Sequence, residues 1–123
     1  MKMDRFTEQA QDVITASQEL VRELRHTQWD VEHIVLAMLE QQEGIIPEVF
    51  EKLGVDVQHF ANRFRDSLKK TATVSYDSQQ IYITPRISQL VDRANAEVRR
   101  LRDELIGVDH LLIAVISERH GDT

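Results

Sequence analysis

Two stretches decide the fold: WDVEHIVLAML, Trp29–Leu39, and IGVDHLLIAVI, Ile106–Ile116. Each opens with an aliphatic or aromatic residue, places an acid and a histidine side by side, and continues as an apolar run of helical length. The two histidines, His33 and His110, stand 77 positions apart, and the same offset holds far outside these stretches. Thr7 falls on Thr84, Val13 on Leu90, Ile14 on Val91, Val21 on Val98 and Leu24 on Leu101. Arg25 falls on Arg102, Glu32 on Asp109, Ala37 on Ala114 and Gly44 on Gly121, without a gap. Caps, apolar positions and glycines in one register indicate a duplicated helical unit.

Working outward, Thr7 is an N-cap, followed by apolar residues at three- and four-residue steps from Ala10 to Leu24. His26 to Asp30 forms a short polar link, and a second helix runs from about Val31 to Gln42 with Gly44 as its C′ glycine. Pro47 suits the first turn of a short third helix ending at Gly54. A fourth helix starts after Asp56 and ends near Lys69 and Lys70. Thr71 to Ile83, TATVSYDSQQIYI, is a linker with at most a short extended piece; a hairpin pairing TATVSY with QIYI is the alternative. Thr84-Pro85 opens a fifth helix by cap and proline, and Val108 or Asp109 opens a sixth. The expected organisation is one domain over 1–123: repeat one at 6–70, linker at 71–83, repeat two at 84–123. Each repeat has an apolar face too large for itself, so an all-α, pseudo-twofold bundle follows. Two more helices follow Gly44, but only Asp122 and Thr123 follow Gly121. The second repeat is therefore expected to lack its last two helices, and the chain to belong to a longer protein.

Composition narrows the function. Hydrophobic residues are 41% and charged residues 29%, ordinary for a globular domain. The net charge of −6 argues against a nucleic-acid binder, which needs a basic surface. With no cysteine there is no disulfide framework and no thiolate metal site. No apolar run approaches the ~20 residues that span a bilayer, and MKMDRFTEQAQ lacks the apolar core of a signal peptide, so a cytoplasmic location is expected. No glycine precedes a lysine, so no P-loop lies in this chain. No metal site is expected: neither His33 nor His110 has a ligand four residues on, and each is read as a buried histidine bonded to the opposite segment. Trp29 is read as a plug in the link between helices, and Arg99, Arg100 and Arg102 as a solvated basic face paired with Glu97, Asp103 and Glu104.

RFTEQAQDVITASQEL, VEHIVLAMLEQQEG, ITPRISQLVDRANAEVRRL and GVDHLLIAVISERHG, in that order, resemble the Clp N-terminal repeat domain of Hsp100/Clp AAA+ unfoldases. The resemblance implies two repeats of four helices and a non-catalytic domain that recognises substrates and adaptors for an ATPase ring. ATP and Mg would belong to that ring and not to this domain; the isolated domain would be monomeric, the full-length protein hexameric, with a ClpP-type protease as a further partner. It implies a peptide site at Thr7, Asp103 and Asp109, and contacts from Glu32 and Asp109 to a cation or to phosphoarginine, where a helix N-terminus offers a phosphate seat. Phe6, Tyr82 and Ile83 are expected to form an apolar rim between the repeats. A stand-alone Clp-repeat adaptor without an ATPase is the competing expectation.

Overall fold

The register of the repeat is also the register of the helices. In the computed structural model, which describes residues 2–70 and 81–118, α1 spans Glu8–Glu23 and α5 spans Pro85–Arg100. The second helices, α2 at Val31–Leu39 and α6 at Val108–Ile116, keep the same 77-residue offset at both ends. Between them α3 (Ile45–Lys52) and α4 (Val57–Lys69) follow only the first repeat, making six helices among the described residues. A short 3-10 turn, Met3–Arg5, precedes α1.

Both long helices end alike. Arg25 and Arg102 take the left-handed conformation, with φ of 59° and 58°, where glycine is usual. Behind them His26 N–H donates to the Val21 carbonyl and Asp103 N–H to the Val98 carbonyl, each at 2.9 Å, closing the orphan carbonyls of the last turn. Gly44 does not stop α2. It is the N-cap of α3, with φ of 112°, and α2 ends at Leu39, short of the expected Gln42. Asp56 caps α4 through bonds from the Gln58 and His59 N–H groups.

The link after α1 is not a solvated connection. Gln28–Trp29 forms strand β1, paired in parallel with β2, Tyr82–Ile83. The first arm of the alternative hairpin lies outside the described residues; its second arm pairs with β1. Trp29 is buried as expected, and its indole Nε1 donates to Ser17 Oγ at 2.9 Å. The same site in the other repeat holds Ile106 and Ala94, so a hydrogen-bonded polar pair is exchanged for an apolar one. By the same 77-residue relation Phe6 forms a parallel bridge with Ile106, mirroring Ile83 on Trp29. Each repeat's leading segment thus pairs with the other repeat's interhelix link.

The helices pack α1 on α2 and α5 on α6, with α4 against α2. Val13, Ile34, Leu90 and Leu111 lie in one continuous core. Burying an aliphatic side chain of this size contributes about 1.5–3 kcal/mol, and neither repeat encloses these four alone. Arg65 latches α4 to the bundle: its guanidinium meets Glu40 through Nε and Nη2 at 2.9 and 2.8 Å, and Glu23 through Nη1 at 2.6 Å.

Candidate functional site

The exchanged strands create two related corners. Thr7 N–H donates to the Ile106 carbonyl at 2.9 Å, and Thr84 N–H to the Trp29 carbonyl at 3.1 Å. Each corner therefore sets the first turn of one repeat's long helix against the N-terminus of the other repeat's short helix.

At the first corner Thr7 Oγ1 caps α1 by accepting from the Ala10 N–H at 3.2 Å. Opposite it, α6 begins after Gly107, which has no side chain with which to cap it. Asp109 Oδ1 bends back to accept from the His110 N–H at 2.9 Å. A Cβ on Gly107 would stand 2.6 Å from that oxygen, so glycine here makes room for the carboxylate. Thr7, Glu8, Gln9, Gly107, Val108 and Asp109, with Ile45 at one side, line a hollow of about 420 Å³. The hollow offers two acidic residues, the half-exposed Asp109 and the exposed Glu8, and an N-terminal helix turn without an N-cap side chain. The first suits a cation and the second an anion.

The second corner is filled. Asp30 caps α2, accepting from the Val31 N–H at 2.7 Å. Thr84 stands at the N-cap position of α5 but does not cap it. Its hydroxyl instead donates to Asp30 Oδ1 at 2.9 Å, across the repeats. Arg86 reaches in from the first turn of α5 and meets both oxygens of Glu32, at 2.8 and 3.0 Å. It also meets Glu118 through Nε, at 3.0 Å, and through Nη2. The Glu118, Glu32 and Asp30 carboxylates hold the guanidinium above its ordinary pKa, against the opposing effect of burial. Glu32, expected as a cation contact, is therefore already engaged with a cation of its own chain.

The remaining expected residues divide. Asp103 does not line the first hollow; it lies near the start of the α5–α6 link, where its Oδ2 accepts from His110 Nε2 at 2.8 Å. Tyr82 and Ile83 are exposed, at 62% and 55%. Phe6 is 2% exposed and belongs to the core, because its bridge to Ile106 turns the ring inward. The histidines are buried, and each bonds to the link between the helices of its own repeat. His33 Nδ1 accepts from the Asp30 N–H and its Nε2 meets His26 Nδ1 at 2.8 Å. His110 Nδ1 accepts from the Gly107 N–H at 2.8 Å, so its Nε2 carries the proton given to Asp103. Burial and the neighbouring His26 push His33 down to about 4; burial also lowers His26, with the Leu68 backbone opposing. Among the described residues no group of three or more His, Cys, Asp or Glu is arranged to hold a metal, and no helix is long and apolar enough to cross a membrane. In the basic cluster Arg100 pairs with Glu97 at 2.7 Å on the helix surface.

Sequence reasoning missed Arg86 and Arg65. For Arg86 a signal existed in the departures from the repeat: Arg86 faces Gln9, Asp30 faces Gly107 and Glu118 faces Gln41 in register. Three charges without a counterpart, Asp30 from repeat one and Arg86 and Glu118 from repeat two, converge on one corner.

A duplicated helical unit, its leading segments paired across a shared core with a hollow at one corner, defines a two-repeat, all-α domain. The match to the family described as the Clp repeat (R) N-terminal domain covers residues 5–123, and the chain belongs to that family. It is 32% identical over 125 residues to the chaperone protein ClpB of Bacillus cereus, covering 99% of this chain and 14% of the relative. It is 33% identical to ClpB of Oceanobacillus iheyensis, covering 98% and 15%. The chain thus spans about one seventh of the length of these curated relatives. Among solved structures it resembles the Hsp104 N-terminal domain of Candida albicans, with a TM-score of 0.81 and 20% identity over 91% of this chain and 73% of that one. It also resembles the N-terminal domain of the ClpV1 ATPase of an E. coli type VI secretion system, at 0.83 and 19%, over 96% and 71%. These structural likenesses establish the all-α fold.

Proposed function

We propose that this chain is the substrate- and adaptor-recognition part of a Clp-type ATP-dependent chaperone or protease ATPase subunit. It holds unfolded or modified protein segments at the seam between its repeats and passes them to an AAA+ ring, where ATP and Mg act. In that assembly it is non-catalytic, cytoplasmic and carried by a hexamer; a ClpP-type protease is the further partner where the ring feeds degradation. The observation that carries this reading is that Thr7 and Asp109, drawn from opposite repeats, line one hollow. An open hollow at the rim of a rigid bundle gives modest affinity, which suits delivery, because the segment must leave again. The ClpB and Hsp104 relatives support the chaperone class.

The test is fluorescence anisotropy with a permanently unfolded, fluorescently labelled protein. Thr7→Ser keeps the helix cap and should retain binding. Asp109→Ala, alone or with Thr7→Ala, should raise Kd at least fivefold. Asp103→Ala should leave Kd within twofold and lower only stability. Equal affinity for the wild type and the Thr7→Ala/Asp109→Ala pair would remove this corner from the binding surface.

A further inference from the structure

The two corners of the seam occupy equivalent places in the repeat, yet their chemistry differs. At the Glu32 corner, one guanidinium lies among three carboxylates. Arg86 Nη1 bridges both oxygens of Glu32, at 2.8 and 3.0 Å, and reaches Asp30 Oδ2 at 3.3 Å, while its other edge lies on Glu118. Thr84 fixes Asp30 in place, and the Glu118 side chain is 2% exposed. The paired contact of Nε and Nη2 with the two Glu118 oxygens is the planar fork a guanidinium selects and an ammonium does not reproduce. The opposite corner has Gln9 for Arg86, Gly107 for Asp30 and Gln41 for Glu118. Of the four acidic or basic positions it keeps one, Asp109, whose side chain is 49% exposed beside the open hollow.

We infer that the seam is one-sided: Arg86 is a built-in occupant of the Glu32 seat and confines recognition of cationic ligand side chains to the Asp109 corner. The inference rests on the proposed binding role of the Asp109 corner for its second half only. The physical reason is competition with a tethered group. Arg86 is held by its own helix, so it forfeits no translational freedom on binding and stands at an effective concentration that a free ligand must exceed. Its seat is also three-quarters shielded from solvent, so salt weakens it little. Removal of the guanidinium takes the paired contact away from Glu32 and the third contact from Asp30, and so opens the Glu32 seat. That arrangement attracts an external guanidinium.

The experiment is a titration of the uniformly ¹⁵N-labelled chain with L-argininamide, with L-citrullinamide as the neutral isostere. In the wild type the expected backbone shifts are confined to residues 7–9 and 107–109, and the Arg86 Nε–H signal, protected by Glu118, does not move. Arg86→Met keeps the side-chain stem without the charge. In it a second, saturable set of shifts appears at residues 30–32 and 84–86, raising the stoichiometry from one to two, with no response to citrullinamide. Movement of the Arg86 Nε–H signal or shifts at residues 30–32 in the wild type would show that ligand displaces the resident arginine, and the inference falls. It falls equally if folded Arg86→Met binds nothing at residues 30–32. If Arg86→Met loses its dispersed spectrum, the wild-type Arg86 Nε–H measurement still decides. Shifts absent at residues 107–109 but present at 30–32 in Arg86→Met would refute the Asp109 reading and leave the closed seat standing.

Discussion

Arg102 carries a conformational cost that its side chain does not offset by burial. It lies exposed at the end of α5 with φ of 58°, in a region disfavoured for any residue with a Cβ by roughly 1–2 kcal/mol. Arg102→Gly should therefore stabilise the domain by about 0.5–1 kcal/mol once the added chain entropy of glycine is subtracted, read as a higher urea midpoint at unchanged m. The buried histidine pair has the opposite character. His33 is lowered to about 4, below its unfolded value, mainly by burial and by the neighbouring His26. A base with a depressed folded pKa contributes stability that is complete above pH 6.5 and is lost as pH falls towards 4, because the unfolded chain takes up the proton first. Between pH 7 and pH 5 the His33 contribution to this loss is about 2 kcal/mol, with His26 adding in the same direction. His26→Asp places at this site the carboxylate that Asp103 gives His110, and it should flatten or invert that slope in urea melts taken at the two pH values. An unchanged slope would mean that the pair is not protected as described. The buried histidines were legible in the sequence, but their partners were not. His26 lies seven residues before His33, and only the left-handed turn at Arg25 brings the two rings within 2.8 Å.

At the level of elements, the sequence periodicity located the helices well because caps and apolar spacing are local properties. Thr7, Asp56 and Pro85 mark the starts of α1, α4 and α5 where expected. The reading of Gly44 failed because a positive φ fits a glycine after one helix and before the next equally well, and only the observed chain direction selects the second. The link 26–30 is polar in sequence at His26, Gln28 and Asp30, yet His26 is buried against His33, and Trp29 is buried in a strand paired with β2, a segment far away in sequence. The attachment of α4 was equally illegible, since Arg65 finds Glu23 and Glu40 on two other helices. Arg65→Ala should cost about 1–3 kcal/mol, because a partly buried bidentate pair is removed and Glu40 loses its partner. Hydrogen exchange should then quicken in 57–69 before it does in α1. Uniform loss of protection would deny α4 its separate latch.

For the molecule as a whole, the strand exchange and the shared core make the two repeats one cooperative unit. Leu111, fully buried, lies in α6 but in the same core as Val13 of α1 and Ile34 of α2. Leu111→Ala should cost about 2–5 kcal/mol, and the loss should appear as one two-state transition with the amides of α1 and α5 deprotected together. Two separated transitions would show that each repeat folds alone. What the sequence determined unaided was the duplicated all-α architecture and its register, since helix periodicity, capping and a constant offset are written in neighbouring residues. What only the tertiary structure decided was which residues meet across the repeats. It moved Phe6 from the rim to the core, brought Thr7 and Asp109 to one hollow, and showed the Glu32 corner already filled by Arg86. The physical reason is that long-range charge pairing and strand exchange depend on the relative placement of two units, and a repeat offset specifies their likeness but not their contact.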